Sequence, residues 1–258
     1  MLASVTLPAH HKHSHSHTII FLHGCGNDAR ELSQKVCETK DSRGLSLQHI
    51  FPTVKWVFPQ ADEIYDERLK QITHQWFDIW DARNPDERRE LQIPGLRNVI
   101  PKLVKLIQSE AATVGLQNVI LAGISHGCAA ALHALLHYPE SEPAEEGKRL
   151  CALVSLSSWM SLGGSSVRES RELLGLAVGE SSAPPSDEIY HRTPVFISHC
   201  VDNNIVPIKE GERLRDTLTA YGMAVTWKEY PTGGYWINGP QGVDDLVSFL
   251  NGRGLASE

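Results

Sequence analysis

Ser125 lies between two glycines in Gly123-Ile124-Ser125-His126-Gly127, the stretch of this 258-residue chain best suited to covalent chemistry. An apolar run, NVILAGI (118–124), precedes it and a small-residue apolar run, CAAALHALL, follows, so the pattern predicts strand, sharp turn, helix. Such a turn leaves no room for neighbouring side chains. It lifts the serine hydroxyl above the strand end, at the positive end of a helix. The hydroxyl becomes a nucleophile only when a base takes its proton, and histidine is the usual base near neutral pH. His126 adjoins Ser125, but side chains on a tight turn diverge, and its ring would need an unusual rotamer to reach back. His199, at a strand end, and His74, before Gln75-Trp76-Phe77, are further candidates, each explained equally well as a structural imidazole.

Other reactive residue types form no comparable pattern. The histidines of HHKHSHSH (10–17) have imidazole spacing without a carboxylate or thiolate partner and lead straight into a strand, so they read as a polar N-terminal extension rather than a metal site. Cys25, Cys37, Cys128, Cys151 and Cys200 are odd in number and lack C-x-x-C spacing, as expected of reduced thiols without disulfide or zinc. No cofactor motif stands out. Trp76, Trp159 and Trp236 offer aromatic surface for an apolar pocket, which core packing would explain equally well.

The elements that must position Ser125 are legible as alternation. Short apolar runs at 18–23, 55–59, 118–124, 151–157, 194–199 and 224–230 have the near-continuous character of strands covered on both faces. Between them lie helical patterns, at 95–115 with Pro101 early in it, at 126–138 stopped by Pro139, at 209–221 and at the C-terminus. The expected architecture is α/β, a mainly parallel central sheet with helices on both faces, built as one domain over 1–258. The charged stretch 141–149 reads as a surface loop, and 161–187, a short helix between Gly/Ser-rich and Pro/Ser-rich ends, as a possible lid. A formal net charge of −7 with no basic run argues against nucleic acid. No segment reaches the length of a membrane span, and no basic apolar leader is seen, which suggests a cytoplasmic protein. These patterns leave the oligomeric state open.

Seven segments in order, FLHGCGND (21–28), FPQA (58–61), WFDIWD (76–81), GISHGCAAALHALL (123–136), SLSSWM (155–160), SHCVDNNIVP (198–207) and GGYWINGPQGVDDLVSFL (233–250), resemble the acyl-protein thioesterase and carboxylesterase branch of the α/β-hydrolases, in a fungal-type form. The resemblance implies an α/β-hydrolase fold, a Ser125 nucleophile, and an oxyanion hole from the amides of Cys25 and His126, with His23 beside it. It also implies an aspartate in the loop after His199 and a histidine near the C-terminus. Here Asn203 stands at the aspartate position, with Asp202 one residue early, and Tyr235 follows Gly233-Gly234 where the family has histidine.

The two departures are physically compatible, because an asparagine leaves no stranded carboxylate when the histidine is gone, and an amide and a phenol can both donate and accept. Ser125, Asn203 and Tyr235 are therefore expected to form a neutral hydrogen-bonded set. A phenol is a poor base at neutral pH. The first reading is an enzyme repurposed for condensation, cyclisation or elimination on a small acyl or carbonyl compound. The alternatives are a weak esterase or thioesterase with His126 and Asp202 as surrogate base and acid, and a ligand-binding pseudo-hydrolase.

Overall fold

The computed structural model describes residues 2–139, 148–176 and 188–255. The described chain begins β1 (Ser4–Leu7), β2 (His17–Leu22), α1 (Ala29–Glu38), α2 (Leu47–Ile50), β3 (Val54–Pro59). A hairpin of β4 (Glu63–Asp66) and β5 (Gln71–His74) follows, then α3 (Gln92–Val114), β6 (Val119–Ile124) and α4 (His126–Leu136). The remainder is β7 (Ala152–Leu156), α5 (Val167–Leu174), α6 (Ile189–Arg192), β8 (Val195–Cys200), α7 (Ile208–Ala220), β9 (Val225–Tyr230) and α8 (Gln241–Asn251).

Seven strands form the main sheet in the order β1-β3-β2-β6-β7-β8-β9, all parallel except β1, which runs antiparallel to β3. The period-two alternation of strand side chains divides the core in two. Ile20, Leu22 and Val57 face one way, into a core shared with α3, α4 and α7. Ile19, Phe21, Trp56 and Phe58 face the other, toward α1 and α8. The expected two-faced parallel sheet is what forms.

Strand order reverses between β2 and β6: the chain leaves β2 for β3 on one side, then returns to pair β6 on the other. The strand ends diverge at such a point and leave a crevice at their carboxyl edge. Leu22 lies opposite Gly123 there, so the loop from His23 and the turn at Ser125 emerge side by side.

Two details differ from expectation. β1, β4 and β5 lie in stretches with no strand signal. α3 begins at Gln92, so Pro101 occupies the interior of the helix rather than its first turn. It is exposed there, and the helix continues past it. Of the stretch expected to be a lid, 177–187 falls outside the described residues, as does 141–147 of the charged loop. The described half is pinned: α5 starts with a Ser166/Glu169 capping box, and Arg97 of α3 donates to the carbonyls of Leu173 and Leu174 at 2.7 and 2.9 Å. No helix among the described residues is long and apolar enough to cross a membrane.

α4 and its C-cap bury three imidazoles. His126 and His133 are fully buried, and burial holds each down to about 3; His137 is held down to about 4. All three are neutral when folded but titrate near 6.5 when unfolded. The stability conferred by their neutral burial is therefore present above pH 6.5 and lost as pH falls toward 4 and then 3. The urea-denaturation midpoint should fall steeply over that window, and His137→Gln should make the fall shallower.

Candidate active site

Ser125 sits between β6 and α4 with φ 52° and ψ −121°, a left-handed conformation that costs a non-glycine residue about 1–3 kcal/mol. Close packing holds it there. A Cβ at Gly123 would overlap the backbone of Cys128, and one at Gly127 would overlap the carbonyl oxygens of Leu22 and His23. The two glycines therefore let the first turn of α4 press against the ends of β2 and β6. The N–H of Ser125 donates to Leu156 at 2.8 Å, and Ser158 Oγ donates to the Ser125 carbonyl at 2.8 Å, which fixes the turn from the β7 side. The residue is 4 % exposed.

Tyr235 arrives from the loop after β9. Its phenol lies beside the Ser125 side chain. The approach depends on Gly24, because a Cβ there would overlap the Tyr235 hydroxyl. Burial pushes the phenol up to about 12, and the neighbouring Ser125 opposes that rise. Asp202 holds this loop in place: its carboxylate accepts from the N–H groups of Gly234 at 2.7 Å and Gly233 at 3.2 Å.

The expected three-membered neutral set is not formed. Asn203, 5 % exposed, turns Oδ1 onto the N–H groups of Ile205 and Val206, both at 3.0 Å, and closes its own loop. Its Nδ2 is buried without a partner. The surrogate pair of His126 and Asp202 is not formed either. The His126 ring packs against Phe77 at 4.1 Å and Trp159 at 6.1 Å between centroids, Nδ1 accepts from the Trp76 N–H at 3.4 Å, and Asp202 is engaged by the glycine turn. With its proton affinity held down to about 3 by burial, His126 would be a weak base.

The remaining imidazoles are occupied by the backbone. His23 donates through Nδ1 to the Gly24 carbonyl at 2.8 Å and accepts at Nε2 from the Ala61 N–H at 3.1 Å. His199 donates to the Val206 carbonyl at 2.9 Å, and His74 to the Ala61 carbonyl at 3.3 Å.

Trp76 and Trp159 are core residues, 3 % and 1 % exposed, whose indole N–H groups donate to the His23 carbonyl at 2.8 Å and to Ser161 Oγ at 3.1 Å. Trp76 lines a separate small cavity with Asp62 and Gly95. Trp236 and His23 do line the cleft that contains Tyr235, together with Asn27, Glu31 and Lys35. Asn27 lies in the FLHGCGND segment, whereas Glu31 and Lys35 lie outside every motif and are brought here by α1.

The amides of Cys25 and His126 lie on the two facing segments. The first N–H groups of a helix have no partner within it, so the His126 amide is available to an acceptor. Among the described residues, no group of His, Cys, Asp or Glu is arranged to hold a metal ion.

The contact between Gly24 and Tyr235 has a spectroscopic consequence. The difference in tyrosinate absorbance between wild type and Tyr235→Phe should show one phenol titrating near 12. Gly24→Ala, whose Cβ would overlap the hydroxyl and drive the phenol out of its buried place, should move that titration down toward 10, the value of an ordinary tyrosine, because burial is what raises it.

The chain matches the phospholipase/carboxylesterase family over residues 8–252. It is similar to acyl-protein thioesterase 1 of Gibberella zeae, 24 % identical over 253 residues, which cover 96 % of this chain and 94 % of the relative. A probable carboxylesterase, SOBER1-like, of Arabidopsis thaliana is 24 % identical over 91 % of this chain and 78 % of its own length. Among solved structures, acyl-protein thioesterase 2 of Zea mays superposes with a TM-score of 0.72 at 22 % identity, covering 98 % of this chain and 99 % of the other. Arabidopsis thaliana SOBER1 superposes with a TM-score of 0.68 at 20 % identity, covering 92 % and 99 %. The match runs from before β2 to the end of α8, and the chain belongs to the phospholipase/carboxylesterase family, with an α/β-hydrolase fold.

Proposed function

We propose that this chain is an enzyme of the carboxylesterase and thioesterase type whose site has been turned from ester hydrolysis to condensation, cyclisation or elimination on a small acyl or carbonyl compound. The observation that carries this reading is the neighbour of Ser125: a buried phenol pushed up to about 12, seated against Gly24, stands beside the serine where a working hydrolase needs an imidazole. At pH 7 only about one such phenol in 10⁵ is ionised, so Tyr235 takes no proton from Ser125 at a useful rate. It is suited to the opposite task. A neutral phenol donates a hydrogen bond, or a proton, to an oxygen on which charge develops, while the amides of Cys25 and His126 polarise the same carbonyl. Asn203 fits this uncharged environment, since it adds no carboxylate to a buried position. The acyl character of the substrate is supported by relatives that are named thioesterases and carboxylesterases.

Hydrolysis remains the competing reading, favoured by those same relatives, and one assay separates the two. With short p-nitrophenyl esters and a fluorophosphonate probe, the wild type should leave Ser125 unlabelled and turn over at least about 10⁴-fold more slowly than a hydrolase with an intact triad. The double variant Tyr235→His, Asn203→Asp should gain labelling. Strong labelling of wild-type Ser125, with turnover abolished by Ser125→Ala, would sink the proposal.

A further inference from the structure

The cleft beside the candidate site lies between α1 and the loop that carries Tyr235, a small half-open recess of about 50 Å³. It reaches Tyr235 and Gly24 but is not lined by Ser125, so a molecule entering it meets the phenol rather than the serine hydroxyl. Its walls are apolar, with Leu32 and Ile124 on one side and the Trp236 ring on the other. That ring is fixed by stacking on Phe21 at 6.4 Å and by an indole N–H donated to Thr39 Oγ1 at 2.9 Å.

Two charges stand at the cleft, and they are not equivalent. Glu31 keeps its negative charge, its carboxylate accepting from the neutral Asn27 Nδ2 at 3.2 Å at the N-terminal end of α1. Lys35, one turn further along α1, pairs with no carboxylate among the described residues; its ammonium rests 4.9 Å above the Trp236 ring. A cation held over an aromatic face at the mouth of an apolar cleft is a ready counter-ion for an entering anion.

We infer that this cleft is the outer part of the substrate site and that it takes a small planar carboxylate, its anionic end at Lys35 and its reacting end passing Tyr235 toward Ser125. The inference rests on the reading above for what happens at Tyr235, but binding is measured independently of conversion. Benzoate, its neutral isostere benzamide and the cation benzylamine serve as probes, with titration calorimetry and tryptophan fluorescence as readouts.

Benzoate should bind saturably and quench fluorescence. Lys35→Met should weaken it about three- to fivefold and Lys35→Arg should not, while benzamide should be indifferent to either change, as expected of an exposed ion pair. Trp236→Leu should remove the quench. Added salt should weaken benzoate alone. Tyr235→Phe separates the two proposals, because it should leave benzoate bound even where it abolishes chemistry. Equal benzoate affinity in wild type and Lys35→Met, tighter binding of benzylamine, or no saturable binding of any probe would overturn the inference.

Discussion

Close approach between the first turn of α4 and the ends of β2 and β6 is the constraint on which the site depends. It exists because Gly123 and Gly127 present no side chain where the backbones of Cys128, Leu22 and His23 come nearest. Everything else at the carboxyl edge is arranged around that contact. It forces Ser125 into a strained conformation, brings the loop from His23 alongside, and leaves the amides at the head of α4 free. Such strain is affordable only because a tightly packed sheet over-determines the turn, with every residue of β6 and β7 buried.

Upon this frame the chain has placed uncharged groups. The carboxylate nearest in sequence to the expected acid position, Asp202, serves the backbone of Gly233 and Gly234 instead of an imidazole. That bond has a function of its own, since the glycine turn sets the course of the following residues and so the place of Tyr235. The buried amide of Asn203 acts in the same way on its own loop, through Ile205 and Val206. Backbone satisfaction, rather than proton transfer, accounts for both side chains. It also accounts for His23, His74 and His199, each bonded to a carbonyl of the chain.

Five strands of the main sheet, β2, β3, β6, β7 and β8, were legible because burial leaves near-continuous apolar runs, while β9, a mostly half-exposed edge strand, showed only through its β-prone residues. β1, β4 and β5 were not, because four residues with alternating or exposed side chains, such as Ser4–Leu7 and Gln71–His74, become strands only through the partner they meet. Pattern alone also located Ser125. It did not disclose that Gly24 admits the phenol, that the His126 ring turns toward Phe77, or that Asn203 bonds its own loop, since each depends on a rotamer or on packing across distant segments. Glu31 and Lys35 likewise gain meaning only from the position of α1.

The antiparallel pairing of β1 bears on the solubility of the whole molecule. β3 is buried along nearly all of its length, and among the described residues its outer edge is covered by Ser4–Leu7, whose side chains are exposed or half-exposed. These four residues carry no chemistry, yet they separate an apolar strand from other chains that would add to it. Shortening the N-terminus past Leu7 would turn β3 into an open template, and self-association would follow without any change at the serine turn.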